Sequence, residues 1–393
     1  MTSTPFSWRK LFLNLHLWLG LASGLIVVIL CLSGTLLALQ GPIESWVNRD
    51  VLQVQAVGDR QPLEALVPQV TRTSEKPFTA VVVMPGETDA LQFMQGRKAT
   101  YVNPYTGEVL GGFNSTVSEA FMTVFRLHRW LLLETPVGRP ITGAATVVFL
   151  FVLMTGLVIW WPKRLSGLKR ALLMRSKVNW KGRNYDLHVV LGFYALIPLA
   201  IMGASALYWS YNPAFKQVVY ATLDGRSAPE QPQSQGPAAE GRGRGETPPL
   251  TDLPYARLLE QTQAAYPHRG PVRITFPKNA EKPVEVAKTH APHAFSLPYV
   301  DRLQLDATTG EIVTREPFAE KSRAEKLLSL IKHIHLGTVY GGLSLTIYVL
   351  ACLVGTTLPI TGFIHWFTKQ KALRPRTPKV SQPVEAVATS DAP

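Results

Sequence analysis

Residues 13–24 read LNLHLWLGLASG, which places His16 one turn inside an apolar run, with Gly20 and Gly24 following at steps of four. Imidazole is costly to bury in lipid without a partner. The run continues to residue 39 without an Asp, Glu, Lys or Arg, and three more runs of this kind follow at 141–161, 187–211 and 343–367. Each exceeds the roughly 20 residues that span a hydrocarbon layer of about 30 Å. In lipid the backbone groups must bond within the segment, so each run is expected to be a helix. The chain of 393 residues, 46% of them apolar, is therefore expected to be an integral membrane protein, mostly α.

Arg9 and Lys10 precede the first run as they would in a signal peptide. Its length far exceeds the ~7–15 residues of a signal core, so it reads as a retained anchor. The segment 162–186 carries eight Lys or Arg against one Asp, and 369–379 carries five and no acid. By the positive-inside rule both, with the N-terminus, are expected to face the cytoplasm. Two larger segments, about 40–139 and 212–340, are then expected on the opposite side, which in a bacterium is the periplasm. These basic anchors account for part of the net charge of +13. No basic array interleaved with aromatics argues for nucleic acid, and membrane lipid is the expected partner. Cys31 and Cys352 both fall inside spans, so they read as small buried apolar residues rather than as a disulfide framework.

The chain also repeats itself. TYVNPYTGEVLGG at 100–112 and LQLDATTGEIVTR at 303–315 each read as strand, Thr-Gly turn, strand. TAVVVMP and VRITFP supply earlier strands, while PLEALVPQV and YARLLEQTQAAY supply a helix before each sheet. LHLWLG and LHVVLG open the first and third spans; TGLVIWWPK and TGFIHWFTK close the second and fourth. The expected order is a first span within 1–40, an α+β unit at 41–118, an amphipathic helix and second span at 119–161, and a basic loop at 162–186. A third span at 187–211, a second α+β unit at 212–318, a helix and fourth span at 319–367, and a tail at 368–393 complete it. The Pro/Gly-rich stretch 225–249 reads as a disordered insertion. Its G-x-G-x-G run has no strand-to-helix context and carries no nucleotide motif.

Six of the nine histidines sit at span ends. His16, His188 and His365 fall near the cytoplasmic face; His128, His333 and His335 near the external face. His16 and His188 are equivalent in the two repeats, as are His128 and His335. A pseudo-two-fold axis makes equivalent residues face one another, and two such pairs at two depths suit bis-imidazole ligation of two haems. Gly20, Gly24 and Gly192 are expected to give room for a flat macrocycle. No C-x-x-C-H is present, so any haem is expected as non-covalent haem b. THAPHAF at 289–295 places two histidines in a Pro-bearing loop with no carboxylate or Cys pair nearby, and reads as an ordinary loop.

LHLWLG, YVNPYTGEVLGG, LHRWLL, LHVVLG, LQLDATTGEIV and TGFIHW together resemble the PepSY-associated transmembrane-helix family, and within it the bacterial inner-membrane ferric-siderophore reductases. The likeness runs from about residue 8 to 370. It implies a four-helix core with two b-type haems and two periplasmic PepSY-like α+β domains, and an oxidoreductase passing electrons outward to siderophore-bound iron. The family's helix-borne histidines map onto His16, His128, His188 and His335, with His333 as the substitute for His335. Arg126, Arg129 and Arg139 are placed to bond haem propionates or lipid headgroups. The implied partners are a ferric siderophore, an electron donor that is a quinol or a cytoplasmic reductase, and periplasmic siderophore-handling proteins. Two other readings are a divalent-metal transporter and a non-catalytic anchored binding protein. The first is disfavoured because the spans have no internal carboxylate, the second because an anchor needs no symmetric histidines.

Overall fold

The computed structural model describes residues 7–96, 98–229, 253–277, 282–290 and 297–373. Most of the insertion 225–249, the tail beyond 373 and residues 291–295 of the THAPHAF stretch lie outside the described residues.

The chain begins with α1 (Trp8–Ala38), which runs on through the short α2 (Gln40–Val47) and α3 (Arg49–Leu52). Then come α4 (Leu63–Arg72), the strands β1 (Ala80–Val83), β2 (Leu91–Gln95), β3 (Lys98–Val102) and β4 (Val109–Gly111), and the helices α5 (Ser115–Trp130) and α6 (Thr135–Trp160). A basic loop carries the one-turn α7 (Leu168–Ala171) and leads into α8 (Trp180–Asp186) and α9 (Gly192–Ser210). The second half continues with α10 (Asn212–Leu223), α11 (Tyr255–Ala265), β5 (Val272–Thr275), β6 (Val284–Thr289), β7 (Val300–Leu305), β8 (Ile312–Glu316), α12 (Arg323–Leu336) and α13 (Gly341–Leu373).

Four stretches are long and apolar enough to cross a membrane, namely α1, α6, α8 with α9, and α13. They close a ring in which α1 touches α6 and α13, and α9 touches the same two. Rotation about a central axis exchanges α1 with α9 and α6 with α13. Between α8 and α9, Leu187–Leu191 form one turn of π-helix, so His188 sits on a widened turn. Such turns are often found at functional sites.

The two α+β units that the sequence separates are halves of one body. All eight strands form one antiparallel sheet in the order β4-β3-β2-β1-β5-β6-β7-β8. The halves meet at β1 and β5, where Val81 lies opposite Ile274 and both are fully buried. Separate units would each have left this inner edge with unpaired backbone groups, and the seam satisfies them. On one face α4 and α11 share a core, built from Leu66, Val67 and Val70 on one helix, Tyr255 and Leu258 on the other, and Phe93, Val102, Ile274, Val286 and Leu303 beneath. Period-two alternation aims β6 and β7 into that core, with Val284, Val286 and Lys288 inward on β6 and Asp301, Leu303 and Leu305 inward on β7.

Candidate functional site

The rotation that exchanges the halves brings the four expected histidines together two by two. His16 and His188 have ring centres 6.2 Å apart with planes at 89°. His128 and His335 stand 6.3 Å apart with planes at 54°. On α1, His16 is 14–18 residues from the Leu30–Gly34 stretch that meets His128. At 1.5 Å per residue the two levels lie about 21–27 Å apart. Between them is an apolar layer that includes Val27, Cys31, Leu153, Ala195, Leu199 and Ala351. Both cysteines are free and buried, as expected, and Cys352 Sγ lies 3.6 Å from Met202 Sδ.

Each imidazole is held by the same device. His16 Nδ1 lies 3.1 Å from both the Val152 carbonyl and Thr155 Oγ1. His188 Nδ1 lies 3.0 Å from the Leu358 carbonyl and from Thr361 Oγ1. His335 Nδ1 lies 3.1 Å from the Met202 carbonyl and from Ser205 Oγ. His128 Nδ1 meets the Leu30 carbonyl, and Ser33 Oγ at 3.0 Å. A carbonyl only accepts, so every Nδ1 carries a proton and every Nε2 keeps a lone pair. The hydroxyls are dry, between 1% and 9% exposed. Each spends its own proton on its helix backbone, as Thr361 does on Thr357, and is left to accept.

In all four cases the carbonyl is at position i, the hydroxyl at i+3, and a small residue at i+4. A methyl group at Gly156 would stand 3.1 Å from His16 Cε1, at Gly362 3.2 Å from His188 Cε1, and at Gly34 3.3 Å from His128 Cε1. Ala206 takes the fourth place. These hydroxyl and small-residue partners are not singled out in the sequence, although TG recurs in TGLVIWWPK and TGFIHWFTK and marks two of them.

The glycines after the histidines divide. A methyl at Gly20 would meet no described atom within 4 Å, whereas one at Gly24 would stand 3.2 Å from Pro359 Cβ and one at Gly192 3.4 Å from Leu358 Cδ2. Gly20 opens onto space as expected. Gly24 and Gly192 instead serve close helix packing. His333 does not face His128; its Nδ1 lies 2.9 Å from Thr338 Oγ1 at the end of its own helix. His365 rests on Tyr185, their ring centres 5.3 Å apart, and both line a basic pocket with Arg175, Lys181 and Lys369.

Beside the His128 pair, α5 turns into α6 at Leu131 and Leu132, both left-handed with φ of 54° and 61°. Gly138 lets this corner close, since a methyl there would collide with the Trp130 backbone carbonyl. The corner draws Arg129 and Arg139 together, and burial followed by the Arg139 charge holds Arg129 below its ordinary value. Neither arginine meets a carboxylate among the described residues, and the buried Arg139 Nε and Trp130 Nε1 have no hydrogen-bond partner there. Arg126 is exposed.

The fit to a bis-imidazole metal centre follows from these distances. Two imidazoles bound on opposite sides of one ion, with metal–nitrogen bonds of about 2.0 Å, have ring centres about 6.3 Å apart. Both pairs stand at that separation, and the fixed tautomer leaves the ligating nitrogen bare. No group of three or more His, Cys, Asp or Glu suited to a metal ion occurs among the described residues, so the sites are pairs rather than cages. The unpartnered donors of Arg139 and Trp130 suit an anionic edge such as a carboxylate-bearing macrocycle.

No curated protein matches the chain. The family model described as the PepSY-associated TM region matches residues 13–369, which takes in all four helices, the whole sheet and both histidine pairs. The chain therefore belongs to the PepSY-associated transmembrane family.

Proposed function

We propose that the chain is a di-haem b electron-transfer protein of the bacterial inner membrane, a ferric-siderophore reductase that releases Fe(II) in the periplasm for iron uptake. The observation that carries the reading is the pair of symmetric bis-imidazole sites at two depths, each built from one histidine of each repeat.

Haem, when bound, supplies a one-electron couple. His16 and His188 would hold the group at one level, and His128 and His335 would hold it at the other. The Nδ1–H bonds to backbone carbonyls fix each ring and raise the basicity of Nε2. The apolar layer around Val27 and Leu199 keeps water from the space between the levels. Arg129, Arg139 and Trp130 offer donors to propionates, with lipid headgroups as the other anion of this chemistry. A ferric siderophore holds Fe(III) through hard anionic oxygens that bind Fe(II) far more weakly, so one-electron reduction is a release step.

The basic segment 162–186 supports, by the positive-inside rule, a topology with α7, both termini and the His16 pair on the cytoplasmic side and the sheet in the periplasm. A quinol or a cytoplasmic reductase is then the donor on the first side, and siderophore-handling proteins receive substrate or product on the second.

The test is a pyridine haemochrome assay on protein made with ample haem, followed by reconstitution in vesicles of known orientation. The expected result is about two acid-acetone-extractable haems per chain, and reduction of a membrane-impermeant ferric siderophore on the sheet side, read with a ferrous chelator. A colourless protein would overturn the reading in favour of an anchored binding protein. Fe(II) uptake by haem-free vesicles would favour a transporter, and reduction confined to the basic-loop side would reverse the direction.

A further inference from the structure

A second histidine cluster lies away from the helix bundle, in the far half of the sheet, and neither histidine pair uses it. Its anchor is Asp301, inward on β7 and 5% exposed. One carboxylate oxygen accepts the Phe318 backbone N–H at 2.7 Å and the other accepts from His268 Nε2 at 2.9 Å. Lys288, opposite Asp301 in the β6–β7 register, turns its ammonium away to Gln263 and the Tyr266 carbonyl. The carboxylate is thus left to the histidine.

With Nε2 donating to Asp301, His268 Nδ1 is buried and has no hydrogen-bond partner among the described residues. A buried imidazole nitrogen with nothing to bond is costly to leave unsatisfied. Carboxylate, imidazole and bare nitrogen in series form the arrangement in which a protein orients a metal-ligating histidine.

The His290 ring lies next to it, with centres 5.2 Å apart and planes at 63°. His290 is stacked on Tyr299 at 4.6 Å and 13°, and Tyr299 in turn on Phe318 at 5.0 Å and 17°. On its other side His268 faces Tyr266 at 6.4 Å. Both imidazoles are therefore clamped by aromatic rings. Two imidazoles bonded at about 2.1 Å to one ion at a tetrahedral angle have ring centres about 5.3 Å apart, against the larger separation of a trans pair. The observed spacing matches the bent arrangement. The sequence neighbourhood of His290 holds no carboxylate, which is why it reads as an ordinary loop; the fold delivers one from β7.

We infer that His268 and His290, with Asp301 orienting His268, form a site for a first-row divalent cation on the sheet domain. Two imidazole ligands select borderline ions such as Zn2+ or Fe2+ over Mg2+ or Ca2+, and water or a small anion fills the remaining positions. His268 is 16% exposed at its side chain, which leaves a route for the ion. The assignment stands without the haem reading and would hold in a haem-free protein.

The test is equilibrium dialysis of the chelator-treated full chain against Zn2+ alone, with bound metal counted by mass spectrometry. One tight Zn2+ per chain is expected, retained by His16→Ala, His128→Ala, His333→Ala and His365→Ala. His268→Ala and His290→Phe should abolish it; the latter keeps a ring against Tyr299, so the fold is preserved while the nitrogens are removed. Asp301→Asn should weaken binding about 10–100-fold, the usual effect of losing a residue that orients a ligand. Unchanged Zn2+ binding in His268→Ala and His290→Phe would overturn the assignment. So would loss of binding that follows His16 or His128 instead.

Discussion

Gly156→Ala is the smallest change that interrogates the His16 pair. The added methyl would stand 3.1 Å from His16 Cε1, where carbon–carbon contacts settle at about 3.5–4.0 Å. The ring must give by a few tenths of an ångström. Its Nδ1 bonds to Val152 and Thr155 are already 3.1 Å long, so even that shift stretches them to the edge of hydrogen-bonding range. Losing that bond costs about 0.5–1.5 kcal/mol, and an off-rotamer imidazole a further 0.5–1.5 kcal/mol or so. Together, about 1–3 kcal/mol corresponds to a roughly 5–150-fold weaker hold on the proposed haem at this level. The assay is transfer of haem from the purified protein to an excess of apo-acceptor globin, followed in the Soret region, with each level assigned from His16→Ala and His128→Ala. Faster loss from the His16 level alone is expected. Gly41→Ala is the control, since no described atom lies within 4 Å of that position. If Gly156→Ala released haem no faster than Gly41→Ala, the account of how His16 is held would be wrong.

Four further outcomes follow from the same geometry. Gly20→Leu meets no described side chain, so the fold should survive while haem loading at the His16 level falls; full loading would show that no macrocycle occupies that space. Leu132→Gly removes a left-handed strain worth about 1–2 kcal/mol, and the unfolding temperature should rise unless the corner relaxes elsewhere. Ile274→Ala, at the seam, should cost about 2–5 kcal/mol and expose both halves of the sheet to protease at once; cleavage of one half alone would mean that the seam does not couple them. Asp224 accepts the Ala324 N–H at 3.1 Å, and hydrogen bonding to Ser322, then to Ala324, with the Arg226 charge holds its carboxyl below the ordinary 3.8. Its contribution is therefore complete above that ordinary value and is lost as pH falls through the depressed one. Amide exchange at the start of α12 should quicken there in the wild type and show no such dependence in Asp224→Asn.

The sequence was most informative where the signal is local or repeated. Spans appear as uncharged runs, and the hairpins at β3–β4 and β7–β8 appear through their Thr-Gly turns. Recurrence paired His128 with His335 but left His333, only two residues away, as a substitute, and it is the fold that sets His335 rather than His333 against His128. What was hidden depends on contacts between distant residues. Strands β2 and β6, at LQFMQ and VEVAKT, carry no turn motif of their own and become strands through their neighbours on both sides. The β1–β5 seam joins residues nearly two hundred positions apart, a pairing that no local pattern encodes. Thr155, Thr361, Ser33 and Ser205 are unremarkable small polar residues in apolar helices until a histidine from another helix is seen to meet them. The π-turn at His188 likewise has no propensity signature.

The basic loop at 162–186 is the single covalent bridge between two self-similar modules, each made of a span, half a sheet, an amphipathic helix and a second span. Each histidine pair draws one member from each module, and every one of the eight strands belongs to a sheet that only the two together complete. A chain severed in that loop would yield two fragments with neither His16–His188 nor His128–His335 complete in either. Completion of either histidine pair in this architecture is therefore a report on assembly. A newly made first module carries one histidine of each pair and half of the sheet, so neither pair exists until its twin arrives.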